Sequence, residues 1–184
     1  MAVTVTPTEF TFVLFDAAAI EAAVVGLLRR LGIADRDVAV EIDETSPIAR
    51  VRVEAGSPIV LRADSGAFED TRQLRGLSAL AVATSSGRML LRMLDRERED
   101  FGGAPADDDL DLAQTAAWDT YSVGRLGRLG YEVNRQRWLY NFRNRHGFTD
   151  LGDSVFDALW TADDLSWARL SALSDEALAA RQPA

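Results

Sequence analysis

The chain contains neither cysteine nor lysine among its 184 residues, and His146 is its single histidine. Without cysteine, disulfides, thiolate metal ligands and cysteine nucleophiles are excluded. Without lysine, Schiff-base catalysis and the phosphate-binding lysine of a P-loop are excluded as well. Any catalytic triad or histidine-ligated metal would therefore have to use His146.

Long apolar segments are also lacking. The longest apolar run, residues 17–28, is interrupted by Glu21 and is too short to cross a bilayer. Residues 1–10 have neither the basic nor the apolar region of a signal peptide. We therefore expect a cytoplasmic protein that does not enter a membrane.

Basic residues are fewer than acidic ones, 20 against 29, so the net charge is -9. This charge argues against nonspecific binding of nucleic acid or of an anionic membrane by the surface as a whole. The hydrophobic fraction of 47% is ordinary for a globular protein. A chain of this length buries a sizeable core without disulfides or metals.

Residues 1–63 predict the element order β-α-β-β-β. Apolar periodicity indicates strands at residues 9–15, 37–43, 49–54 and 59–63. A helix between the first two strands has Asp16 as its N-cap and Gly32 just past its end. Because the turns between the last three strands are short, those strands are expected to be antiparallel neighbours.

The rest of the chain predicts helices. They cover residues 71–100, with a kink at Gly76 or at 85–87, a segment from about Asp109, and residues 131–145. Three short helices then begin at the N-caps Thr149, Thr161 and Ser174. The fold class is therefore α+β, with a β-α-β-β-β sheet layer in residues 1–100 and a helical C-terminal half in residues 109–184 packed on it as one compact domain.

Charge is unevenly distributed in the helical half. Residues 121–148 contain six arginines and one acidic residue, and the segments on both sides are strongly acidic. The same basic segment contains six aromatic residues, Tyr121, Tyr131, Trp138, Tyr140, Phe142 and Phe148. Arginines interleaved with aromatics are typical of surfaces that bind anions or stack on bases. The alternative is that the acidic flanks neutralise this segment within the fold and that the aromatics are core residues.

Arg135 is the strongest candidate in this segment. On a helical projection of residues 131–146 it falls within the apolar stripe formed by Tyr131, Trp138, Leu139 and Phe142. A buried guanidinium keeps its charge, so it needs an anionic partner, either a carboxylate of this chain or a ligand. We expect a ligand groove between this helix and the sheet. The predicted ligand-binding residues are Arg128, Tyr131, Arg135, Arg137 and Trp138.

Three glycines, Gly124, Gly127 and Gly130, recur around Arg125 and Arg128. They follow a predicted helix rather than a strand, so the context of a dinucleotide site or a P-loop is missing. We predict that they end the helix begun near Asp109. An anion held at the start of the next helix is the alternative.

Carboxylates offer two further motifs. Residues 107–111 resemble the opening of a calcium loop, but Leu112 and Trp118 stand where the loop glycine and glutamate are needed, so a helix start is predicted. Glu41 and Asp43 share one strand face and could bind magnesium or act as acid and base, or they could be a solvated strand edge. His146, next to Gly147, is predicted to cap a helix C-terminus.

The leading hypothesis is a non-catalytic interaction or ligand-binding domain for an anionic small molecule or an acidic protein segment. The first alternative is a small hydrolase or transferase that uses Glu41 and Asp43 with His146. Nucleic-acid binding is the second alternative. We predict no cofactor and no metal, and a homodimer stays open because the apolar C-terminal helices could cover the core of a second copy.

Overall fold

The computed structural model describes residues 2–181 and has the predicted α+β architecture. The chain forms two compact units, residues 1–93 and residues 94–184. Unit 1 contains the sheet, and unit 2 contains most of the helices. No helix within residues 2–181 has both the length and the apolar character that crossing a membrane requires. The packing of both regions as one domain stays a prediction.

Unit 1 has the predicted element order. Its elements are β1 (Val3–Thr6), α1 (Ala17–Arg30), β2 (Val38–Asp43), β3 (Val51–Glu54) and β4 (Ile59–Asp64). The sheet order is β1-β2-β4-β3, with β2 parallel to both β1 and β4, and β3 antiparallel to β4.

The first strand is not at residues 9–15, and that prediction is wrong. In this segment Val13 is buried while Phe12 and Leu14 are exposed. The backbone N–H groups of Thr11 and Phe12 donate to the Glu44 carboxylate at 2.7 Å instead of to a neighbouring strand. The strand lies earlier, at β1, and Pro7 directly after it has no amide hydrogen with which to extend the ladder.

The predicted pairing of β2 with β3 is also wrong, because β4 lies between them. Both β2 and β4 have six residues with alternate positions buried, whereas in β3 only Val51 is buried. The two strands with more apolar surface therefore take the centre, and the short strand takes the edge. The connection from β2 to β3 is held beside β4, where the Ser65 hydroxyl donates to the Ser46 carbonyl at 2.9 Å.

Helix α1 confirms its predicted caps. Asp16 accepts from the backbone N–H of Ala18 at 2.9 Å, and Gly32 follows the helix with φ 74°. Ile20, Val24, Leu27 and Leu28 of α1 are buried, and α1 packs on β1. The apolar face of the sheet is buried, and the opposite face, which includes Glu41 and Arg62, is exposed.

Helix α2 (Ala79–Arg96) is shorter than predicted and runs without a break through residues 85–87. Residues 71–78 form turns, in which Arg75 has φ 58°. Leu74, within these turns, is exposed. The prediction of a helix over residues 71–78 failed because the apolar residues of these turns have the spacing of a helix.

Unit 2 contains α3 (Leu112–Arg128), α4 (Arg135–His146), α5 (Asp150–Thr161) and α6 (Trp167–Ala179). Their apolar faces share one core, which includes Trp118, Tyr121, Phe142, Phe156 and Leu170. Asp111 caps α3 in a capping box with Gln114, so the acidic residues 107–109 form a short 3-10 turn before the helix.

The last two predicted helices are one helix, α6. Ser166 caps it, Thr161 instead ends α5, and Ser174 lies buried inside α6 rather than at a cap. Thr149 is the N-cap of α5, as predicted. A polar residue within a helical pattern resembles a cap when only its neighbours in sequence are considered.

Gly124 lies where α3 meets α5. A Cβ at this position would overlap the backbone carbonyl of Trp160, so the close approach requires glycine. Gly124 and Gly127 are thus inside α3, and Gly130 alone follows its end, with φ 85°. The prediction that all three glycines end the helix is wrong for the first two.

Candidate binding surface on helix α4

Helix α4 begins four residues later than predicted, at Arg135. The Asn134 side chain accepts from the backbone N–H of Arg137 at 3.0 Å and caps the helix, so Tyr131 lies before it. The helix ends before Gly147, which has φ 98°. These local signals fix both ends of α4.

The two faces of α4 differ sharply. Leu139, Phe142 and His146 are buried at a spacing of three and four residues. On the opposite side, Arg137, Tyr140 and Asn144 are exposed. The helix therefore presents an aromatic residue between polar and basic ones to solvent.

Arg135 is not buried, contrary to the prediction. Its side chain is 47% exposed and forms an ion pair with Asp157 of α5. The guanidinium also lies 5.1 Å from the centre of the Phe156 ring. Arg135 does point toward the buried side of α4, but it occupies the first turn, where the core ends. Of the two alternatives for its partner, the structure shows the carboxylate of this chain.

Arg128 also binds within the chain. Its Nε donates to Asp163 at 2.8 Å, and its terminal nitrogens donate to the carbonyls of Trp160 and Ala162. Arg128 thereby satisfies carbonyl groups at the C-terminal end of α5, which would otherwise lack partners. This arrangement lends no support to a phosphate cradle at the three glycines.

Arg125 reaches a buried carboxylate. Its two terminal nitrogens donate to the oxygens of Asp95 at 2.7 and 2.6 Å, and the indole nitrogen of Trp118 donates to the same carboxylate at 2.8 Å. Asp95 is 1% exposed, and the Arg125 guanidinium stacks 3.9 Å from the centre of the Tyr121 ring. Sequence reasoning missed this pair because its members are 30 residues apart.

Trp138 and Tyr131 are partly buried, and Trp138 packs against the core of unit 2. Arg137 differs from the other predicted ligand-binding residues. It is exposed, and its guanidinium has no hydrogen bond or ion pair with any residue that the structure describes. The predicted groove between α4 and the sheet would join the two units and stays a prediction.

Two aromatic side chains of the basic segment are also exposed. The sequence places them in this segment but does not predict their exposure. Tyr140 is 58% exposed and Phe148 is 63% exposed, and their rings meet edge to face with centroids 6.0 Å apart. The Arg143 guanidinium lies 5.8 Å from the centre of the Phe148 ring, and its Nε donates to Asp153 at 2.7 Å. This ion pair lowers the pKa of Asp153 and raises the pKa of Arg143.

A cleft of about 580 Å³ opens at the corner between α4 and α5. Phe148 and Arg181 lie on its walls, together with Asn144 and the N-cap Thr149. Asn144 and Arg181 also line a neighbouring cleft that includes Arg145. Within residues 2–181, the guanidinium groups of Arg145 and Arg181 have no carboxylate partner. We call Arg137, Tyr140, Asn144, Arg145, Phe148 and Arg181 the α4 surface.

His146 is fully buried. Its Nδ1 donates to the Phe142 carbonyl at 3.2 Å, so in the neutral ring Nε2 accepts from the Ser174 hydroxyl at 2.8 Å. The Phe142 carbonyl lies one turn before His146 inside α4, so this bond does not confirm the predicted cap at the helix end. Burial lowers the pKa of His146. Because both nitrogens are bonded inside the core, the structure lends no support to His146 as an assisting catalytic group.

Glu41 and Asp43 lie in unit 1. Glu41 accepts from Arg62 at 2.9 Å, and Asp43 accepts from the Thr45 hydroxyl at 2.6 Å. No group of three histidine, aspartate or glutamate residues in the described part of the chain is arranged to hold a metal ion. The enzyme alternative stays a prediction.

The chain matches no family model, no curated protein and no solved structure. Its function is therefore argued from the geometry of these surfaces.

Proposed function

We propose that unit 2 is an interaction module that binds an acidic protein segment on the α4 surface. The observation that carries the proposal is the pair of exposed guanidinium groups of Arg137 and Arg145, which have no carboxylate partner in the described part of the chain. They belong to the helix that also exposes Tyr140 and that is followed by the exposed Phe148.

Other arginines in unit 2 differ from Arg137 and Arg145, because they are paired within the unit. Arg98, Arg125, Arg128, Arg135 and Arg143 each bind a carboxylate of the same unit. Acidic residues are abundant here, and yet the arginines of the α4 surface remain without one. Acidic residues of a partner can complement this charge, and such complementarity provides specificity and fast association.

The exposed aromatics favour a protein partner over a small ligand. Tyrosine and arginine are enriched at the centres of protein interfaces, where an aromatic anchor excludes water from the ion pairs around it. The part of the α4 surface that lies on the helix, Arg137 to Arg145, extends over about two turns, or roughly 12 Å. A small ligand is normally enclosed in a pocket over most of its surface. Arg137 and Tyr140 line neither of the two clefts, so an extended segment can contact the whole surface where a small ligand cannot.

The test is a fluorescence anisotropy titration of the full chain with a labelled peptide of alternating glutamate and tyrosine. We expect the double variant Arg137→Gln/Arg145→Gln to weaken binding about tenfold, which is about 1.4 kcal/mol. Tyr140→Ala is expected to weaken it by a similar factor. A glutamine–tyrosine peptide of equal length is expected not to bind.

The control variant is Arg29→Gln/Arg169→Gln, which removes the same charge from exposed positions on α1 and α6. It is expected to bind the acidic peptide as tightly as the parent chain. Equal weakening by both double variants would contradict the proposal, because it would mean that the peptide senses net charge only. Binding of the neutral peptide with equal affinity would contradict it too.

A further inference from the structure

Unit 1 has a second candidate site, a cleft of about 460 Å³ on the exposed face of the sheet. It lies where the parallel strands β1, β2 and β4 end, with Thr6, Asp43 and Asp64 at their last positions. The carboxyl ends of parallel strands are the usual place for ligands in open sheets. This cleft is separate from the α4 surface, and its argument does not rest on the proposed function.

The strand register arranges the charges of the cleft in rows. Glu41 of β2 is opposite Arg62 of β4, which is opposite Arg52 of β3. In the next row Asp43 of β2 is opposite Asp64 of β4, which binds Arg50 at 2.9 Å. The β2 side of the cleft is thus anionic, and the β3 side is cationic.

Neighbouring groups hold several of these side chains in place. Arg62 lies between two carboxylates, those of Glu41 and Glu54, and is fixed at the floor of the cleft. Asp43 accepts from both the hydroxyl and the backbone N–H of Thr45, and these bonds lower its pKa. Asp43 therefore stays ionised, with hydrogen bonds rather than a guanidinium fixing its position.

The two charged sides are a fixed distance apart. Strands β2 and β3 are separated by one strand, so their backbones are about 10 Å apart. Arg50, directly before β3, reaches Asp64 of β4, so the charged groups are closer together than the two backbones. A ligand that contacts both sides needs an ammonium group at one end and a carboxylate at the other, with a short spacer between them.

We propose that this cleft binds a small zwitterion, with its ammonium group on Asp43 and its carboxylate on Arg50 and Arg52. A short peptide or an ω-amino acid has this distribution of charge. The hydrophobic surface of the cleft comes from Pro7, Ile42 and Ala63, together with the stems of the arginines.

The experiment is a heteronuclear NMR titration of the full chain with glycylglycine, γ-aminobutyrate and ε-aminocaproate as probes. We expect at least one probe to give saturable shifts of the amide signals of residues 41–43 and 50–52. N-acetylglycylglycine and glycylglycine amide each lack one charge, and we expect each to bind about tenfold more weakly than glycylglycine.

Two variants locate the charges on the protein. Asp43→Asn, which keeps an acceptor for Thr45, is expected to weaken binding of the best probe about tenfold, and Arg52→Gln to weaken it similarly. Arg169→Gln on α6, which lies outside this cleft and outside the α4 surface, is the control and is expected to leave the affinity unchanged. Failure of every probe to give saturable shifts in unit 1 would overturn the proposal, and so would equal binding of the acetylated and amidated peptides. Neither result would bear on the α4 surface.

Discussion

The buried ion pair of Asp95 and Arg125 gives the sharpest test of how unit 2 is stabilised. We consider Asp95→Asn, which preserves the volume of the side chain but removes its charge. The guanidinium of Arg125 cannot lose its proton, so it would remain buried without a counter-charge. The indole N–H of Trp118 could still donate to the amide oxygen of the asparagine, so the change acts mainly on the ion pair.

The expected loss follows from burial. The side chains of Asp95 and Arg125 are 1% and 13% exposed, so water screens their interaction little. Removing one partner of such a pair typically destabilises a protein by about 3–5 kcal/mol. Asp157→Asn is the matched control, because Asp157 pairs with Arg135 at the surface, with side chains 60% and 47% exposed. An exposed pair contributes about 0–1 kcal/mol.

Urea unfolding followed by tryptophan fluorescence measures both losses. All four tryptophans, Trp118, Trp138, Trp160 and Trp167, lie in unit 2, so the signal reports this unit alone. The reasoning would be refuted if Asp95→Asn lowered the free energy of unfolding no more than Asp157→Asn does. A further variant, Asp95→Asn/Arg125→Met, removes both charges and is expected to be more stable than Asp95→Asn alone.

Two other predictions concern the core of unit 2. His146 has a pKa below its ordinary value of 6.5, because burial disfavours the charged ring. Below pH 6.5 the His146 ring therefore binds a proton more readily in the unfolded chain than in the folded one. We expect the free energy of unfolding to fall below pH 6.5, by up to about 1.4 kcal/mol per pH unit, until the folded-state pKa is reached. Nearby Asp111 and Asp175 partly oppose this shift. Urea titrations between pH 7 and about 5 should show this slope in the parent chain and not in His146→Gln; an equal slope in both would assign it to another group. Gly124→Ala is expected to destabilise unit 2 by about 1–3 kcal/mol, because the new methyl group overlaps the rigid Trp160 carbonyl and outweighs the better helix propensity of alanine. Gly26→Ala in α1 has open space around the added Cβ, and circular dichroism should show unchanged or increased stability.

The parts of the fold that depend on neighbours in sequence were predictable. Asp16 and Gly32 bound α1, and the alternation of Val38, Val40 and Ile42 reveals β2, because caps and pleats involve residues a few positions apart. The strand order was not predictable in the same way. Short loops favour hairpins, but the more apolar β4 displaced β3 from the side of β2.

The candidate site was predicted in outline only. The basic aromatic segment is visible in the sequence, and its exposed side follows from the spacing of Arg137, Tyr140 and Asn144 opposite the buried stripe. The partners of Arg128 and Arg135 were not predictable, since Asp157 belongs to α5 and Asp163 to the connection that follows it. Exposure and pairing are tertiary properties, and they decided which arginines remain available to a partner.

The position of β4 also has a consequence for the order in which unit 1 can assemble. β3 pairs with β4 and with no other strand of the described sheet. During synthesis, β3 therefore emerges from the ribosome before β4, its hydrogen-bonding partner, has emerged. The β1–α1–β2 segment can pair its two strands by itself, whereas the backbone groups of β3 depend on water until residues 59–64 follow. When β4 (Ile59–Asp64) emerges, it pairs with β2 on one side and with β3 on the other, and the sheet is then complete.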